Sequence, residues 1–262
     1  MTSDAQRAEV RTQDLVAEFY EGTRYAVPSA RQYHDWLNQR LGELLKPHGQ
    51  VLDVGCGTGI MGEYGFAGTL TGVDISFEMA RKATQRLTSV TVGSAENLPV
   101  RDASFDCAFA KSVIHHLADA EHGVAEIARA LKPGGRVVFV DTAENFVSRW
   151  PRQLMKHSEH FSELHQNLSR THYRELISTH LEIVHEEPMG FLAYSLFGFP
   201  DVLPAYRFVP AKVLIVPALV RTEGWFAKLP GIRWLGLGHI VLARKAVVDE
   251  ASSLAEDGSI LC

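Results

Sequence analysis

"VLDVGCGTGI", residues 51–60, sets the reading of this chain. An apolar run carrying one acid, Asp53, leads into three closely spaced glycines, Gly55, Gly57 and Gly59. A strand that ends in such a loop and opens a helix brings backbone close to a nucleotide-like ligand. Two familiar ligands fail here. A phosphate-binding loop needs Lys and then Ser or Thr after the last glycine, where Ile60 and Met61 stand. A dinucleotide loop needs G-x-G-x-x-G, and counting from Gly55 puts Ile60 at the third glycine. Asp53 would also repel a diphosphate, so a ligand bearing a positive charge fits better.

The next acid narrows the choice. Asp74 closes the second strand, "TLTGVDIS", 15 residues after Gly59. A carboxylate there can accept both hydroxyls of a ribose, at about 1.5–3 kcal/mol for each charge-assisted hydrogen bond. A ribose joined to a cationic group without phosphate describes S-adenosylmethionine. The glycines admit the amino-acid part of that ligand, and the helix start beyond Thr58 suits its carboxylate.

Around this loop, strands alternate with helices. "QVLDVG", "TLTGVDIS", "VTVGSA", "FDCAFAKS" and "RVVFVD" read as strands. "TGIMGEYGF", "FEMARKATQRL" and "AEHGVAEIARALKPGG" read as helices, the last with a glycine stop. That alternation implies right-handed crossovers and a Rossmann-like, doubly wound α/β sheet of seven mostly parallel strands, with an antiparallel terminal strand, "GHIVLARK". Two helices precede the sheet within residues 1–46, the second capped by Ser29 after Pro28. Residues 144–168 and "THYRELISTH" look helical and "LEIVHEE" a strand. The expected core therefore spans 47–187 and 237–246, interrupted by an apolar insertion at 188–236 and followed by a mobile acidic tail, 247–262.

"VLDVGCGTG", "GVDIS", "GSAENLPVRDASFDCAFA" and "LKPGGRVVFVD" resemble, in order, the class I S-adenosylmethionine-dependent methyltransferases. The nearest branch is that of the ubiquinone/menaquinone C-methyltransferases and many natural-product methyltransferases. The resemblance covers about residues 45–141. It implies that Gly55 and Gly57 line the cofactor and that Asp53 orients its ammonium end. Asp74 would hold the ribose and Ile75 lie against the adenine. The Ala95 N–H would meet an adenine ring nitrogen. The family often has Asp where Ser94 stands, so Ser94 or Glu96 would accept from the exocyclic amine. Lys111 would border the methionine part. Asp53 has a plainer reading too, as a cap on its own loop.

His115 and His116, in "KSVIHHLADA", follow the fourth strand, at the sheet edge where ligands of such folds bind. Either could be a general base for a hydroxyl; the alternative is that one packs and the other caps the next helix. The cluster His157, His160, His165 and His172 has irregular spacing and no completing Cys or Asp, so it reads as a solvated face or lid and no metal is expected. His185 and His239 are expected to be structural, and Cys56 a small buried residue. Tyr20, Tyr25, Tyr33 and Trp36 either close the cofactor cleft or simply pack.

The insertion is longer and more apolar than a hairpin connection needs. A packing extension or homodimer face, a wall over a hydrophobic substrate, and a membrane-touching surface anchored by Trp225, Phe226 and Trp234 are its three readings. A net charge of −5 without a basic run argues against nucleic acid. Three cysteines without regular spacing argue against disulfides, and the charged N-terminus lacks a signal-peptide core, so a reducing cytoplasm is expected. The expected function is methyl transfer to oxygen or carbon of a small hydrophobic or lipid-like acceptor. The rival is a protein of this fold that binds the cofactor without transferring methyl, cyclase-like or regulatory.

Overall fold

Strands β1 (Gln50–Val54), β2 (Thr69–Asp74), β3 (Ser89–Val92), β4 (Phe105–Lys111) and β5 (Leu131–Thr142) run parallel, while β7 (Gly238–Arg244) pairs antiparallel with both β5 and β6 (Glu182–Met189). Their order is β3-β2-β1-β4-β5-β7-β6. This is the seven-stranded, doubly wound sheet expected from the sequence. The chain order reverses between β1 and β4, which opens a crevice above their C-terminal ends. The computed structural model describes residues 4–142, 168–198, 200 and 204–247. His157, His160, His165, nearly all of the expected 144–168 helix, and the tail beyond Val247 lie outside them.

Both faces of β1 are buried, as an apolar run broken only by Asp53 leads one to expect. Leu52 and Val54 meet Val124 and Ile127 of α4 (Ala120–Ala130) and Ile177 of α5 (Arg170–Ser178) in one core layer. Val51 faces the other layer, with Tyr33, Leu37, Leu41 and Leu45 of α2 (Pro28–Leu45). Those four recur every four residues, the period of one helix face. α1 (Asp4–Arg24) packs beside α3 (Phe77–Ala83) through Val16, Ala17 and Met79. Ser76, Asp119 and Ser169 accept the N–H three residues on and so start α3, α4 and α5.

Three local expectations need correction. The helix expected over "AEHGVAEIARALKPGG" stops at Ala130 with the extended Leu131 as its cap, and "LKPGG" already belongs to β5, so no glycine ends it. Ser29 is not the cap of α2: Val27 flanks the helix without a side-chain cap, and the Ser29 hydroxyl is buried without a hydrogen-bond partner. Proline favours the first helical position because its missing N–H is not needed there, so the helix begins at Pro28. The helix expected from "TGIMGEYGF" is a single 3₁₀ turn, Ile60–Tyr64, bounded by left-handed Gly59 and Gly65. The helix dipole available to a ligand carboxylate is correspondingly short.

β6 continues to Met189, so the insertion begins at Gly190, two residues later than its apolar composition suggests. It is helical: α6 (Leu192–Phe197), a turn at Pro204–Phe208, α7 (Lys212–Phe226) and a turn at Ile232–Leu235. The buried Glu223 of α7 accepts the N–H groups of Gly190, Phe191 and Ala193 at 2.9, 2.8 and 2.8 Å. One carboxylate thus satisfies the donors at the start of α6 and ties both helices together. The pair covers α2: the Tyr33 and Tyr194 rings lie 5.9 Å apart, and Val216 and Val220 join the same core layer as Leu37. No helix among the described residues is long and apolar enough to cross a membrane.

Candidate active site

The crevice above β1 and β4 is a cleft of about 720 Å³, counting its open mouth. Asp53, Gly55 and Gly57 form its floor, and Lys111 stands beside them at the end of β4. Asp53 is buried, and its Oδ2 has no hydrogen-bond partner. Burial pushes its carboxyl up to about 7, opposed by the Lys111 charge and reinforced by Asp74. Lys111 is half-buried, and desolvation lowers its pKa. Its Nζ donates to Asn38 Oδ1 at 2.6 Å.

Asp74 ends β2 one strand away. Its Oδ2 accepts the Gly57 N–H at 2.7 Å and its Oδ1 the Ser76 N–H at 2.9 Å. Burial raises this carboxyl to about 6 against those two donors. Ile75 follows, half-buried. Beyond β3, Ser94 Oγ accepts the Glu96 N–H at 3.1 Å. Glu96 is buried, accepts the Asp119 N–H at 2.6 Å and bonds the Gln6 amide of α1. Ala95 between them is buried. The Cys56 thiol is buried, as expected, against the carbonyl of Gly57.

His115 and His116 sit in a turn after β4, Ile114–His116, their rings 4.1 Å apart. His115 is buried, with Nδ1 against the Asp141 carboxylate, whose other oxygen accepts the Tyr173 hydroxyl at 2.9 Å. His116 Nδ1 lies 3.1 Å from Glu9 of α1. Asp141 reaches the cleft wall; neither imidazole is part of that wall. His172 is exposed on α5, His185 pairs with Glu187 at 3.0 Å, and the buried His239 lies 3.3 Å from Glu186. No group of metal-ligating side chains occurs among the described residues.

Sequence reasoning misses His34. It lines the cleft from α2, and its Nε2 lies 3.1 Å from the Gly198 carbonyl of the cap. A carbonyl only accepts, so Nε2 carries the proton and Nδ1 a lone pair, buried and unpartnered. Burial, then the charges of Lys111 and Arg24, hold its pKa well below the ordinary value, so the ring is neutral. The available signal was periodicity: His34 and Asn38 fall on the buried stripe of α2, where apolar residues belong. Tyr20 and Arg24 of α1, Met189 at the end of β6 and Tyr194 of α6 complete the walls. Of the other aromatics named in the sequence, Tyr25 lies 3.5 Å from Lys111, while Tyr33 and Trp36 pack against each other.

Residues 52–139 match the methyltransferase domain family. The chain is 30% identical over 197 residues to a malonyl-[acyl-carrier protein] O-methyltransferase of Erwinia pyrifoliae, covering 68% of this chain and 70% of that one. The chain belongs to the class I S-adenosylmethionine-dependent methyltransferases. Within them it is related to the menaquinone branch: it is 37% identical over 112 residues to a demethylmenaquinone methyltransferase of Desulfitobacterium hafniense, covering 38% of this chain and 44% of that enzyme. The chain thus spans less than half the length of that relative. Among solved structures, a [4+2]-cyclase superposes with a TM-score of 0.62 at 20% identity, over 93% of this chain and 96% of that one. That likeness shows the fold.

S-adenosylmethionine is the cofactor of this methyltransferase, and the cleft suits it. Of the two buried carboxylates, Asp53 lies in the cleft floor with an unpartnered oxygen, which opposes a diphosphate and favours a cation. Asp74, like Ile75, Ser94, Ala95 and Glu96, is outside the cleft lining and reaches the glycine loop through the Gly57 N–H. A Cβ at Gly57 would meet nothing within 4 Å, so the loop leaves open space there.

Proposed function

We propose that this methyltransferase acts on oxygen or carbon of a small, hydrophobic or lipid-like acceptor. The observation that carries the reading is the asymmetry of the cleft. Its floor is acidic, at Asp53, whereas Leu37, Met189 and Tyr194 make its far wall largely apolar. The names of the two relatives, an O-methyltransferase of an acyl carrier substrate and a quinone methyltransferase, agree with such an acceptor.

The sulfonium supplies an activated methyl group, so the chain's task is to align and enclose. Alignment of reacting atoms can contribute roughly 7–11 kcal/mol. In this reading Asp53 holds the ammonium group, Gly55 and Gly57 let the backbone approach, and Lys111 borders the methionine part. Asp74 holds the ribose, Ile75 flanks the adenine, and Ala95 with Ser94 or Glu96 meets its polar edge. A hydroxyl or enol acceptor also needs a base. His115 is one candidate: the Asp141 carboxylate favours a proton on Nδ1, which makes Nε2 the basic nitrogen. His116 and His34 are the others.

The test is incubation with methyl-labelled cofactor and a panel of phenols, enols, acyl carriers and amines. Labelled product and S-adenosylhomocysteine are expected with apolar hydroxylated or enolic acceptors. A cyclase shares this fold, and fold alone does not fix chemistry. Tight cofactor binding with no S-adenosylhomocysteine across the panel would favour the non-transferring alternative.

A further inference from the structure

Helix α7 is apolar on two sides. Val216 and Val220 pack inward toward α2. Leu214, Pro217, Ala218 and Trp225 recur at helical spacing on the other side and face solvent. Leu214 is 79% exposed and Trp225 59%; Phe208, on the turn before the helix, is 88% exposed. A helix apolar all round normally lies buried, and large apolar side chains exposed together mark a surface that something covers.

The charges around it indicate what. Among the described side chains of residues 206–237, four are basic, Arg207, Lys212, Arg221 and Lys228, and one is acidic, Glu223. Glu223 is buried at the start of α6. Arg221 and Lys228 continue the exposed stripe of Leu214, Ala218 and Trp225. The patch is therefore cationic on a chain whose net charge is −5. We propose that α7 and the turn before it dock on an anionic lipid surface. Phe208, Leu214 and Trp225 enter the boundary between headgroups and acyl chains, while Arg207, Arg221 and Lys228 meet lipid phosphates. A second copy of the chain fits this face less well, because a symmetric contact sets one cationic stripe against another.

The face adjoins the cleft. The Trp225 ring lies 5.4 Å from Phe226, which lies 5.8 Å from Phe191 at the start of α6. Tyr194 of α6 lines the cleft. One side of the cap thus walls the cleft, and the other presents the docking face. The docking stands whichever acceptor is methylated.

The test is co-sedimentation of the full chain with vesicles of phosphatidylcholine alone or mixed with phosphatidylglycerol. Binding to the mixed vesicles, weakened by added salt, is expected. Arg221→Glu with Lys228→Glu should cut partitioning at least tenfold, given about fivefold per basic residue at such a surface. Leu214→Ser with Trp225→Ser should cut it at least as much. Neither pair touches the cleft, so cofactor affinity and melting temperature should hold, which shows that the variants are folded. Absence of binding to the mixed vesicles at low ionic strength, or equal binding by wild type and variants, overturns the proposal. A wild-type dimer that these substitutions convert to monomer, without vesicle binding, assigns the face to a second copy instead.

Discussion

The carboxylate of Asp74 accepts the Gly57 N–H at 2.7 Å, across a gap of 17 residues in the chain. The acid that ends β2 therefore braces the glycine loop that follows β1, and in the proposed reading its remaining lone pairs accept the ribose hydroxyls. Asp74→Ala is expected to weaken S-adenosylmethionine binding at least tenfold by calorimetry. It should also destabilise the fold by about 1–3 kcal/mol, since two N–H groups lose a charged partner. A chain of this length then melts roughly 2–4 °C lower per kcal/mol. Unchanged affinity would remove Asp74 from the ribose.

Two glycines of the loop separate binding from folding. Gly57 has φ +54° and open space where a Cβ would stand. Gly59 has φ +76°, and its Cβ would come within 2.9 Å of the Ala83 backbone in α3. Gly57→Ala should fold with a loss of about 1–2 kcal/mol from its left-handed backbone, yet bind the cofactor more than tenfold worse. Gly59→Ala should lose more stability, because α3 must move. Thermal melting beside calorimetry tells them apart; full cofactor affinity in Gly57→Ala means that the loop is not the cradle.

Asp53 makes cofactor binding pH-dependent. Its carboxyl sits near 7 in the free protein, above its unfolded value of about 4. Its stabilising contribution is thus complete below pH 4 and is lost as the pH rises through 7. An ammonium group at Oδ2 reverses the preference and expels the proton. Affinity should climb with pH by up to about tenfold per unit below 7. Calorimetry near pH 6, in buffers of different ionisation enthalpy, should count the released proton. Asp53→Asn should flatten this dependence, leaving only the weaker one centred near 6 from Asp74. Binding without proton release excludes Asp53 from the ammonium site.

The floor of the cleft is legible in the sequence because it is local. The "VLDVGCGTG" run buries β1 on both faces, and register places Asp53 beside Gly72, two residues before Asp74. The cap is not legible in the same way. α7 is apolar on two sides and contains Pro217, so residues 188–236 show no clean period. Its organising contact joins Glu223 to Gly190, 33 residues apart, and nothing local announces it. His34 has the same difficulty: its tautomer is set by Gly198, 164 residues away.

Three histidines are candidates to take a proton from the acceptor, of which His34 lines the cleft and His115 and His116 lie behind its wall, and their surroundings predict different outcomes. His115 is held by Asp141, which Tyr173 holds in turn. A base with such an orienting partner keeps its tautomer and stabilises the charge it gains. His115→Gln, close in volume, should lower turnover about 100-fold or more, within the range of general base catalysis, with cofactor affinity changed less than twofold. Tyr173→Phe should lower turnover by a smaller factor, about tenfold, because it removes one hydrogen bond from Asp141 and leaves the ring in place. His116→Ala, beside Glu9, should act mainly on the packing of α1 against the turn after β4. His34 is neutral and basic at Nδ1, but Lys111 and Arg24 oppose any charge on it. His34→Asn should therefore raise the KM for acceptor more than it lowers kcat. A loss of kcat in His34→Asn alone transfers the base to α2. Full turnover in all three variants means that the acceptor reacts without one, as an amine does.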